Sequence, residues 1–116
     1  MCGIVGYIGK QKALPILMEG LRRESYRGYD SSGIVVFQNG EPFCVKAVGK
    51  LESLENKLNG RNLESNIGLG HCRWATTGVV SEVNSHPHFE CAKKIYLVHN
   101  GIIENYKELK DKLITE

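Results

Sequence analysis

Gly33-Ile34-Val35-Val36-Phe37-Gln38-Asn39-Gly40-Glu41-Pro42-Phe43-Cys44-Val45-Lys46-Ala47-Val48 decides the fold class. Two apolar runs, 33–37 and 43–48, flank an Asn-Gly pair that readily takes the positive φ angles of a type I′ turn, which predicts an antiparallel hairpin. Upstream, Cys2 to Ile8 is small and apolar, with Gly3, Gly6 and Gly9 spaced through it; this predicts a buried strand closely approached by other backbone. Leu14, Leu17, Met18 and Leu21 follow at i, i+3, i+4 and i+7. With Pro15 suited to a first turn and Arg22 and Arg23 suited to a last one, they predict a helix. Downstream, Leu51, Leu54 and Leu58 predict a short helix ended by Asn59-Gly60. Strands are predicted at Ile67 to Trp74 and Ile95 to His99, with a long ordered loop over 81–90 between them. Ile102, Tyr106, Leu109 and Leu113 predict a closing amphipathic helix. Strands and helices in mixed order, with a hairpin and no βαβ repeat, read as α+β.

The chain has 116 residues, 41% of them hydrophobic and 24% charged, with 13 glycines and 3 prolines, the composition of one globular unit rather than a disordered one. Its formal charge of +2 is scattered along the sequence, which argues against nucleic acid as a partner. No apolar run approaches the ~20 residues that span a bilayer, so no membrane partner is expected. The N-terminus has neither the basic start nor the long apolar stretch of a signal peptide, and a cytoplasmic protein is expected. Gly3, Gly6 and Gly9 give no phosphate-binding loop. Cys2, Cys44, Cys72 and Cys91 are widely spaced without a CxxC pair, so each is read as a thiol rather than as part of a disulfide framework.

Cys2 carries the most chemistry. Removal of Met1 would leave a cysteine with its own free α-amine, and an amine of pKa about 7.7–8 can take the proton of a thiol of pKa about 8.5. Read alone, Cys2 is also the kind of small apolar residue that is often buried. A thiol attacking an amide needs donors for the oxyanion, and Asn100-Gly101, between an apolar strand and a helical pattern, can supply a side-chain amide and a backbone N–H. Arg73 at a strand end suits either a bidentate carboxylate clamp or an internal salt bridge. Neighbouring Trp74, the only tryptophan, suits a core position. Cys72, His86, His88 and Cys91 form a rival constellation of zinc-ligand types, in which only His88 with Cys91 has ordinary ligand spacing. On the leading reading no metal and no cofactor is called for.

Five blocks, Cys2-Gly3-Ile4-Val5-Gly6, Tyr26-Arg27-Gly28-Tyr29-Asp30-Ser31-Ser32-Gly33, His71-Cys72-Arg73-Trp74-Ala75-Thr76-Thr77-Gly78, His86-Pro87-His88 and His99-Asn100-Gly101-Ile102-Ile103-Glu104-Asn105, taken in order, resemble the class II glutaminase domains of the glutamine:fructose-6-phosphate aminotransferase (isomerising) family. These belong to the N-terminal-nucleophile amidotransferases. The resemblance implies a four-layer αββα sandwich of which residues 1–116 would be the N-terminal part. It implies Cys2 as nucleophile on the glutamine side-chain amide, a γ-glutamyl thioester, and an oxyanion hole from Asn100 and Gly101. Arg73, Thr76, Thr77 and Gly101 would bind glutamine, with Thr77 where many relatives carry histidine, and Trp74 and His86 would serve as gate and loop residues.

By the same resemblance, an aspartate for the glutamine α-amino group and two sugar-isomerase domains for fructose 6-phosphate would lie beyond residue 116. The released ammonia would serve glucosamine 6-phosphate synthesis in a homodimeric full-length enzyme. The isolated chain is then expected to be weakly active or inactive and to aggregate or pair. Two alternatives stand beside this reading. One is an amidophosphoribosyltransferase-type glutaminase; the other is an inactive or truncated amidotransferase-like binding domain, stabilised by zinc.

Overall fold

In a computed structural model of the chain, residues 2–25, 29–74 and 79–116 are described. The Asn-Gly turn forms as its composition demands: Asn39 and Gly40 sit at φ 54° and 78° and join β2 (Ser31–Gln38) to β3 (Glu41–Val48) in antiparallel register. β1 (Gly3–Ile8) and β4 (Ile67–Arg73) complete a four-stranded sheet of order β1-β4-β2-β3, antiparallel at every pairing.

One face of the sheet is covered by α1 (Ala13–Glu24) and α2 (Leu51–Leu58). The predicted apolar stripes are the ones buried, Leu14, Leu17, Met18 and Leu21 from α1 and Leu54 and Leu58 from α2. They form one core with Ile34, Val36, Ala47 and Cys72 of the sheet. Leu17 and Leu21 press so closely on β4 that a Cβ at Gly68 would lie 2.8 Å from Leu17 Cδ1. Asn59 ends α2 in the left-handed region at φ 46°, as the Asn-Gly pair foretold.

The opposite face is covered by the long segment between β4 and the last helix. Lys46 on β3 donates from Nζ to the carbonyls of Ser85 (2.9 Å) and Pro87 (3.2 Å), and the His86 carbonyl lies directly over Gly33 of β2. A small hairpin of β5 (His88–Phe89) and β6 (Tyr96–Leu97) extends this cover, with Tyr96 meeting Phe37 edge-on at 5.6 Å.

Three expectations are corrected. The opening strand is not buried: β1 is an edge strand with α1 on one face only, so Val5 and Tyr7 pack inward while Ile8 remains 77% exposed. The strand expected over Ile95 to His99 shrinks to two residues and pairs with β5, because the His99 N–H is spent on His86 Nδ1 rather than on a ladder. The last helix, α3, begins at Tyr106 rather than Ile102. Gly101 at φ 146° and a turn from the Tyr106 N–H to the Ile103 carbonyl keep 101–105 non-helical. Every residue of α3 is exposed, including its stripe of Tyr106, Leu109 and Leu113. No helix among the described residues is long and apolar enough to cross a membrane.

Candidate active site

Alternation along β4 sorts the residues around the N-terminus. His71 and Arg73 project to the loop-covered face, while Cys72 turns to the α1 side, where its thiol approaches the Leu21 carbonyl. β1 pairs with β4 in a register that sets Gly3 opposite Cys72, which brings Cys2 to the end of β4. There the Trp74 N–H donates to Cys2 Sγ at 3.3 Å and the thiol lies 3.6 Å from the Trp74 carbonyl. The backbone of Trp74 therefore brackets the sulfur, whereas its ring, expected in the core, is 45% exposed.

From the far end of the chain, Asn100 comes to the same place: its Nδ2 donates to the Cys2 carbonyl at 3.0 Å, and its Oδ1 lies 2.8 Å from His71 Nε2. An amide nitrogen carries two N–H groups, so one satisfies the Cys2 carbonyl and a second can serve an incoming oxygen. Gly101 follows at φ 146°, a backbone conformation that favours glycine, with His99 Cε1 3.2 Å from where a Cβ would be.

His71 is fully buried and stacks on His86 with centroids 4.1 Å apart, and His86 meets His88 at 4.2 Å. Burial holds the His71 imidazole below the usual histidine range, opposed by its bonds to Asn100 and to the His99 backbone. His86 is pushed down to about 3, first by burial and then by the neighbouring His71 and His88. Both rings are neutral near pH 7. The His86-Pro87 peptide is cis. Beside this stack an open cleft, lined by His86, His88, His99, Gly101 and Tyr106, runs up to α3.

Arg73 is 7% exposed, and its guanidinium donates to the Val79 carbonyl at 3.2 Å from the last position of β4. The zinc constellation does not assemble. Cys72 and the histidines lie on opposite faces of the sheet, Cys91 is exposed, and no group of three metal-ligating side chains converges among the described residues. Thr76 and Thr77, Met1 and Tyr26-Arg27-Gly28 lie outside the described residues.

No family model matches the chain. Individual relatives do. The glutamine–fructose-6-phosphate aminotransferase (isomerising) of Pyrococcus horikoshii is 54% identical over 98% of the chain, and that of Caldanaerobacter subterraneus subsp. tengcongensis is 54% identical over all of it. Over nearly its whole length the chain matches a part of these aminotransferases. It spans about a fifth of these aminotransferases' own length, 19% in both cases. Among solved structures, the glutamine phosphoribosylpyrophosphate amidotransferase of B. subtilis, complexed with ADP and GMP, superposes with a TM-score of 0.78 and 26% identity over 99% of the chain and 25% of its own. The fold is thus α+β of the N-terminal-nucleophile type. Aminotransferase relatives at more than 50% identity, against 26% for the phosphoribosyl enzyme, favour the aminotransferase over the amidophosphoribosyltransferase alternative.

Sequence reasoning assigned no role to three positions that build the site's surroundings. Gly33 admits the His86 carbonyl, Lys46 tethers Ser85 and Pro87, and His71 reaches Asn100. For His71 a usable signal existed in its placement two residues before Arg73, which puts both on one face of a strand.

Proposed function

We propose that this chain is part of a glutaminase domain in which Cys2 cleaves the side-chain amide of glutamine. One observation carries the proposal: Cys2 and Asn100, 98 residues apart, meet at the end of β4 with the Asn100 amide on the Cys2 carbonyl and a backbone N–H on the sulfur. In the proposed sequence, loss of Met1 frees the Cys2 α-amine, which accepts the thiol proton as Sγ adds to the amide carbon. The second Asn100 N–H and the Gly101 N–H stabilise the oxyanion. Collapse breaks the C–N bond and, with the proton returned to nitrogen, releases ammonia and leaves a γ-glutamyl thioester. Water then hydrolyses the thioester to glutamate and restores the thiol.

Arg73, buried at the end of the strand that leads to the site, is assigned to the glutamine α-carboxylate, a pairing its planar fork suits. Thr76, Thr77 and Gly101 are assigned to the same substrate, and Trp74 and His86 to the gate and its loop. The relatives' name supports transfer of the ammonia to fructose 6-phosphate in a longer protein, which we take to be a homodimer, with residues 1–116 supplying only part of its glutaminase domain.

The test uses the complete coding sequence that contains this chain. Cys2→Ala is expected to abolish ammonia release while glutamine still binds. Release at the wild-type rate would remove Cys2 from the role.

A further inference from the structure

The hydrogen-bond donors around Asn100 can be assigned in only one order. The Cys2 carbonyl only accepts, so the Asn100 atom 3.0 Å from it is the amide nitrogen, and Oδ1 is the atom turned to His71. Because Oδ1 also only accepts, His71 must hold its proton on Nε2.

We infer that His71 is a positioning residue for Asn100, its Nε2–H selecting the one amide flip that turns N–H groups toward Cys2. With the amide reversed, Oδ1 would face the Cys2 carbonyl, oxygen against oxygen, and Nδ2 would face a donor. The ring itself is held in place. His86 stacks on it at an interplanar angle of 27°, His86 is fixed by the His99 N–H on its Nδ1, and the His86 carbonyl rests on Gly33. Orientation of the oxyanion donor thus traces back through two stacked rings to a glycine in the sheet. The neutral state of both rings, imposed chiefly by burial, keeps His71 in the single-proton form that the arrangement needs.

This inference rests on the glutaminase reading, and the experiment separates the two. His71→Gln places an amide N–H near the position of Nε2, while His71→Asn, equally polar, falls short of it. In the complete coding sequence, His71→Gln is expected to keep kcat for glutamine hydrolysis within about threefold of wild type. His71→Asn should lower kcat about 10- to 100-fold, part of the 10²–10³ that loss of an oxyanion donor costs, with KM for glutamine within about twofold. In an Asn100→Ala background, His71→Asn should cost nothing further.

Equal losses in the two His71 variants, or a full His71→Asn penalty without Asn100, would overturn the inference and leave the glutaminase reading standing. Absence of Cys2-dependent ammonia release from the wild type would overturn the reading itself. Should His71→Asn fail to fold, 15N NMR of the wild-type imidazole decides. A proton on Nε2 near pH 7 supports the inference, and a proton on Nδ1 overturns it.

Discussion

Gly33→Ala is the perturbation with the most informative sign. Replacing a glycine by alanine in the interior of a strand normally stabilises, by about 0.4–1 kcal/mol, because the unfolded chain loses freedom. At Gly33 the added methyl would run into the carbonyl oxygen of His86 and lie 3.1 Å from both the His86 carbonyl carbon and Lys46 Cγ. The oxygen is backbone, tethered on either side by the Lys46 bonds to Ser85 and Pro87, so it cannot simply rotate aside. Overpacking of this kind costs about 1–3 kcal/mol, which exceeds the entropic gain and reverses the sign. Urea denaturation of the chain, followed by the fluorescence of Trp74, should therefore give a lower midpoint for Gly33→Ala. Gly6→Ala is the matched control: a Cβ there meets only Leu69 Cδ2, at 3.4 Å, and the variant should be neutral or slightly more stable. A Gly33→Ala protein at least as stable as wild type would mean that the loop does not lie on β2.

Further outcomes follow from the same geometry. Asn100→Ala in the complete coding sequence should lower kcat for glutamine hydrolysis about 10²- to 10³-fold, read by ammonia release, with a much smaller change in KM. Leu54→Ala, at a fully buried position of α2, should destabilise by about 2–5 kcal/mol in denaturant titration. Acid should weaken the fold through the histidine stack. His86 titrates near 3 when folded against an ordinary 6.5, so between these values the unfolded chain binds the proton that the native chain refuses. Stability should then fall as pH drops from about 6.5, by up to about 1.4 kcal/mol per pH unit for this residue, and a His86→Phe variant should show a shallower decline.

The sequence made legible what depends on local pattern. The type I′ turn at Asn39-Gly40, the stripes of α1 and α2, and the left-handed stop at Asn59 are set by residues within one turn of each other. It also placed Cys2, Asn100, Gly101 and Arg73 in one motif set, and the first three come together at the end of β4. What escaped it was tertiary. Whether Cys2 to Ile8 is central or edge depends on which strand lies beside it, and an apolar sequence reads the same in both cases. The contraction of the 95–99 strand followed from a bond between His99 and His86, 13 residues apart, that no periodicity reports. His71 looked like an ordinary member of a strand until Asn100 arrived beside it from 29 residues away.

The central claim is that Cys2, freed of Met1, is the glutamine nucleophile, and mass spectrometry after treatment with 6-diazo-5-oxo-L-norleucine, a glutamine-mimicking electrophile, tests it most directly. In the complete coding sequence, the account predicts a single adduct on Cys2, confined to molecules lacking Met1 and suppressed by excess glutamine. Modification of Cys44, Cys72 or Cys91 in its place, or equal labelling of chains that retain Met1, would contradict it.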